Sequence, residues 1–84
     1  MSKYDPLYDY LIRTPAHVDD VTLSFAQLEN LLDFSLPRSA RVHRAWWSNP
    51  SKPHQHPYAQ AWIAAGWKVD ALDQTAGWVR FRRA

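Results

Sequence analysis

The residues best suited to chemistry lie between two prolines, Pro37 and Pro50, in the run Arg38-Ser39-Ala40-Arg41-Val42-His43-Arg44-Ala45-Trp46-Trp47-Ser48-Asn49. If Ser39 to Trp47 is helical, the three-residue spacing sets Arg38, Arg41 and Arg44 in one basic stripe. Guanidinium groups donate in pairs to phosphate or to a guanine edge, and Ser39, His43, Ser48 and Asn49 add shorter hydrogen-bonding groups. Trp47 offers a flat face on which an unpaired base can stack. The competing account is that the tryptophans anchor the core and the arginines only solvate its outer face.

A second basic–aromatic set closes the chain. In Trp78-Val79-Arg80-Phe81-Arg82-Arg83 a strand points Val79 and Phe81 one way and Trp78, Arg80 and Arg82 the other. With Lys52 and Arg83 these residues complete a candidate nucleic-acid-binding set. Charge supports the assignment. Residues 1–37 carry two basic side chains against six acidic ones, net −4, and residues 38–84 carry eight against two, net +6. An anionic partner is therefore steered to the second half.

Other chemistries find less support. Ser39 and His43 are four apart but have no orienting third group, and no carboxylate cluster suggests a metal-dependent nuclease, so no catalytic residue is assigned. His54-x-His56 with His43 or His17 is too few ligands on too loose a segment for a structural zinc, and the chain has no cysteine. No metal or cofactor is expected. The absence of cysteine suits a reducing compartment, and the polar, acidic start reads as neither signal peptide nor membrane span; a soluble, cytoplasmic protein with no membrane partner is expected.

The elements that must position these groups follow from local signals. Eighty-four residues suffice for one domain, 1–84, whose small core is filled by five Trp, four Tyr and three Phe. Asp5 as cap and Pro6 in the first turn open an amphipathic helix to Arg13, in which Leu7 and Leu11, and Tyr4, Tyr8 and Ile12, recur at four-residue spacing. Thr14-Pro15 ends it. Val21-Thr22-Leu23 reads as a short strand. Ser24 and Gln27 form a capping box for a second helix over 25–33. Phe34 to Pro37 turn into the basic helix, and Pro50 to Pro57, rich in Pro and His, form a loop. Pro57 opens a further helix that Gly66 stops. Trp67 to Leu72, with Trp67, Val69 and Ala71 on one face, and the return strand from Trp78 make a hairpin around Asp73-Gln74-Thr75-Ala76-Gly77.

This order predicts an α+β fold, winged-helix-like, with Val21–Leu23 as a third strand beside the hairpin; an unrelated α+β arrangement is the rival. The segments Tyr4-Asp5-Pro6-Leu7-Tyr8-Asp9-Tyr10-Leu11, Leu23-Ser24-Phe25, Leu36-Pro37-Arg38-Ser39-Ala40-Arg41, His43-Arg44-Ala45-Trp46-Trp47-Ser48-Asn49 and Ala61-Trp62 with Ala64-Ala65-Gly66-Trp67 resemble an uncharacterised bacterial and phage domain family. That family is similar to domains attached to DNA-handling proteins, and the resemblance implies no assigned activity. The functional expectation is a non-catalytic DNA-binding module, with RNA or single-stranded DNA as variants of the same partner. The alternative is a protein-interaction module or homodimer anchored by exposed tryptophans.

Overall fold

Four α-helices pack on one face of a three-stranded antiparallel sheet in the computed structural model, which describes residues 2–52 and 56–84. Helix α1 spans Asp5–Ile12, strand β1 Asp20–Ser24, α2 Phe25–Leu32 and α3 Arg38–Val42. A 3₁₀ turn follows at Arg44–Trp47, then α4 at Pro57–Ile63, β2 at Trp67–Asp73 and β3 at Trp78–Arg83. The sheet order is β1-β3-β2, so β1 does lie beside the hairpin.

The helix starts are set by local chemistry. At α2 both halves of the capping box form: Gln27 N–H donates to Ser24 Oγ at 3.0 Å, and Ser24 N–H donates to Gln27 Oε1 at 2.8 Å. Helix α1 begins one residue earlier than expected. Asp5 is its first residue rather than its cap, and its carboxylate accepts from Ser2 N–H instead. Of the residues at helical spacing, Tyr4, Leu7 and Leu11 are buried, whereas Ile12 is exposed.

The largest departure is in the central basic stretch, which is not one helix. Helix α3 ends at Val42, His43 is extended (φ −114°, ψ 113°), and the chain resumes as the 3₁₀ turn. The cause is a competing donor. A continued helix would need Arg44 N–H on the Ala40 carbonyl, but that carbonyl accepts the Trp47 indole N–H at 2.7 Å and the Gln74 amide at 3.1 Å. Within the 3₁₀ turn the adjacent Trp46 and Trp47 are both buried, with their rings in edge contact at 4.6 Å.

These indoles build the core. Trp47 stacks on Phe25 (5.6 Å between centroids) and on Trp62 (5.8 Å), and Trp46 stacks on Tyr58 at 4.2 Å. Trp62, Trp67, Phe81 and Val79 have no exposed surface. Each fully buried aromatic removes roughly 150–250 Å² from water, which is how so short a chain fills an interior.

Strand β3 alternates as expected, with Val79 and Phe81 inward. Strand β2 does not alternate throughout. A register shift between Val69 and Ala71 sets Leu72, not Ala71, opposite Val79, and turns Ala71 to the outer face opposite Arg80. The extra residue at this bulge is Asp70. Gly66 (φ 84°) and Gly77 (φ 81°) supply the left-handed positions that end α4 and close the hairpin.

Candidate nucleic-acid interface

Breaking the basic stretch disperses the expected arginine stripe. Arg38 and Arg41 remain on α3, and Arg44 belongs to the 3₁₀ turn. Arg41 is engaged: its guanidinium contacts Glu29 at 2.7 Å and lies over the Phe25 ring. Glu29 Oε2 also accepts the Leu36 N–H at 2.7 Å, so one carboxylate ties the α2–α3 turn together. The Arg41 hydrogen bond first, and the Leu36 amide second, hold Glu29 below the ordinary carboxylate range.

Arg38 is exposed and makes no ion pair among the described residues. Ser39 is half-buried, and its carbonyl accepts the His43 N–H. His43 is exposed at the break. Arg44 reaches across to the Leu72 carbonyl at 3.4 Å, a long contact that leaves most of its donors free. Trp47 is buried at 3% exposure and its N–H is spent on Ala40, so a base can stack on it only if the core opens.

Ser48 is exposed and lines a hollow of about 200 Å³ with Arg44 and the 69–72 segment of β2. Asn49 serves the fold: its amide bonds both backbone groups of Val69 and accepts the Trp62 indole N–H. Lys52 is exposed. His54, considered above as a metal ligand, lies outside the described residues. Among the described residues no cluster of His, Asp or Glu has the makings of a metal site.

The outer face of the sheet carries Trp78, Arg80 and Arg82 on β3, as the alternation predicts. Cross-strand register places Lys68 and Asp20 on either side of Arg82. Asp70, from the bulge, pairs with Arg80 at 2.7 Å and Arg82 at 3.4 Å. With Asp20 and Asp70 on the same face, this ladder is largely charge-balanced. Arg83 does not join it. Its guanidinium donates to the carbonyls of Thr14, Pro15 and Val18 at 2.8–3.0 Å and covers the Trp67 ring at 4.5 Å. It pins the α1–β1 loop.

What the fold does bring together is the basic stretch and the hairpin turn. Gln74 in the turn donates to Ala40 on α3, and Arg44 donates to Leu72 just before the turn. The segment is therefore tied to the hairpin at Ala40 and at Arg44, and the run Arg41–Ala45 is exposed. Sequence reasoning gave no role to Gln74 or Glu29. Each acts on a residue twelve or more positions away, and no local spacing signals that.

Fold and surface together define a small α+β domain with four helices and a three-stranded antiparallel sheet. No helix among the described residues is long and apolar enough to cross a membrane. The chain belongs to the family described as domain of unknown function (DUF7662), whose model matches residues 4–84. No curated protein and no solved structure matches the chain significantly.

Proposed function

We propose that this domain is a non-catalytic DNA-binding module of winged-helix-like design. Its phosphate contacts come from Arg38, His43 and Arg44, and the β2–β3 turn lies against the same duplex as a wing. Arg38, Arg44 and Lys52 bring positive charge that no carboxylate among the described residues pairs. Arg80 and Arg82 contribute less, because Asp70 already holds both. The observation that carries the reading is the pair of hydrogen bonds from Gln74 to Ala40 and from Arg44 to Leu72, which hold the basic segment beside the hairpin. The element order and the β1-β3-β2 sheet fit a winged helix with one added helical segment before the hairpin.

Fluorescence anisotropy with labelled duplex and single-stranded DNA tests it. Binding at about 50 mM salt is expected to weaken steeply as salt rises, because phosphate contacts release counterions. Replacing Arg38 and Arg44 together by Ala is expected to flatten the log–log salt slope by about 2. Absence of binding at low salt overturns the proposal. A preference for single strands would move the contact to the half-buried Trp78, the tryptophan that keeps an outward position on the sheet. The alternative of tryptophans anchoring a protein partner rests on Trp78 as well, since Trp46, Trp47, Trp62 and Trp67 are buried.

A further inference from the structure

The two outer edges of the sheet are treated differently. On β2 the edge is occupied: Asn49 bonds Val69 N–H and C=O, and Arg44 bonds the Leu72 carbonyl. On β1 it is open. Arg83 N–H donates to Asp19 O and Phe25 N–H donates to Gly77 O, so the odd-numbered residues from Asp19 to Phe25 turn their backbone groups toward β3. The even-numbered ones turn outward. Ser24 N–H is taken by Gln27 Oε1, but the N–H and C=O of Asp20 and of Thr22 have no partner among the described residues.

Beside this edge runs a groove of about 630 Å³, walled by α1, the 13–18 loop and α2. Tyr10, Val18, Val21 and Leu31 give it an apolar lining, and Tyr10 is 40% exposed. Its wall is held in place by Arg83, whose guanidinium fastens the Thr14, Pro15 and Val18 carbonyls. Asp9 lines it beside Arg13, and Asp19 and Asp20 lead into the adjoining strand. None of these three carboxylates has an ion pair among the described residues, while Arg82, opposite Asp20, is already paired with Asp70, and Arg83 is spent on the loop carbonyls.

We infer that β1 accepts an extended peptide as a fourth strand, and that the peptide carries basic side chains alternating with apolar ones. Added backbone pairs with Asp20 and Thr22, its apolar side chains enter the groove on the side of Val21, and its basic ones meet Asp20 on the other. Charge decides against a second copy of this chain. Antiparallel pairing of two β1 strands through the free Asp20 and Thr22 groups would set Asp20 diagonally across from its own counterpart on one face, and like charges across strands destabilise. Aspartates on an exposed edge also discourage aggregation, which accounts for Asp20 but not for the groove.

The test is anisotropy of a fluorescein-labelled peptide of alternating Lys and Val, with a Glu/Val peptide as control. Amide chemical-shift mapping on the full chain accompanies it. The Lys/Val peptide is expected to bind, the Glu/Val peptide not, and the largest shifts to fall on Asp20 and Thr22. Thr22→Pro removes an outward N–H without touching the bonds to β3, and Pro is tolerated at such edge positions. It should weaken the peptide about five- to tenfold. Should that variant melt early, Tyr10→Ala tests the groove with the edge intact, and there too weaker binding is expected. Equal binding of both peptides, shifts confined to the outer sheet face, or a dimer in sedimentation that Thr22→Pro dissolves would each overturn the assignment. DNA binding is expected to be unchanged by either variant, which separates this surface from the basic one.

Discussion

Asn49 imitates a neighbouring strand for Val69: its Nδ2 donates to the Val69 carbonyl at 3.0 Å and its Oδ1 accepts the Val69 N–H at 2.9 Å. The same Oδ1 accepts the Trp62 indole N–H at 3.1 Å, which links the edge of the sheet to the centre of the core. A residue that reads from sequence as a groove-contacting amide is thus committed within the fold.

Replacing Asn49 by Ala should therefore act on stability. The change orphans the Trp62 N–H inside the protein and frees the β2 edge at Val69. A loss of about 2–3 kcal/mol is expected, the scale of one buried unsatisfied donor together with a lost backbone pair. Urea denaturation measures it. Asn49→Asp keeps the acceptor and loses the donor, setting a carboxylate near the Val69 carbonyl; it should fall below wild type as well. A wild-type midpoint for either variant would show that these bonds contribute nothing net.

Trp67 and Trp62 should respond differently to the same substitution. Both are fully buried, but the Trp67 Nε1 has no hydrogen-bond partner among the described residues, whereas that of Trp62 donates to Asn49. Changing Trp67 to Phe removes a donor whose burial costs about 1–3 kcal/mol, offsetting part of the packing lost. The expected outcome is that Trp67→Phe costs at least about 1 kcal/mol less than Trp62→Phe. Equal losses in matched denaturation curves would mean that the Trp67 N–H is satisfied in solution.

Glu29 gives the stability a pH dependence of defined sign. Its carboxyl titrates below the ordinary value of 4.5, first through the Arg41 hydrogen bond and then through the Leu36 amide. A depressed folded-state pKa stabilises fully above the unfolded value, and this contribution disappears as pH falls through the folded one. Glu29→Gln should therefore be less stable than wild type near about pH 7, with the gap closing toward about pH 3. Thermal melts at both ends of this range check it. A gap that is constant with pH would locate the effect in packing around the α2–α3 turn.

Much of the architecture is local and legible in the chain. The Ser24–Gln27 capping box, the prolines that open α1 and α4, the glycines at 66 and 77, and the inward Val79 and Phe81 each depend on residues a few positions apart. Neighbours in sequence supply the donor, the dihedral or the face, so α+β content and the hairpin are readable, and β1 joins the hairpin because its alternating short strand offers a matching face. The end of α3 is not. It depends on the Ala40 carbonyl being taken by Trp47 and Gln74, seven and thirty-four residues away.

The roles of the polar side chains were decided the same way. Sequence shows that Arg41, Arg44, Asn49 and Arg83 can donate hydrogen bonds, and a donor serves a phosphate or a carbonyl equally well. Only the packed chain places Glu29 under Arg41, Val69 beside Asn49 and three loop carbonyls around Arg83. The chain itself determined its charge polarity and its supply of aromatic side chains. Tertiary structure decided which of those charges still face solvent, because a buried or half-buried carbonyl left unpaired costs more than an exposed guanidinium gains from water.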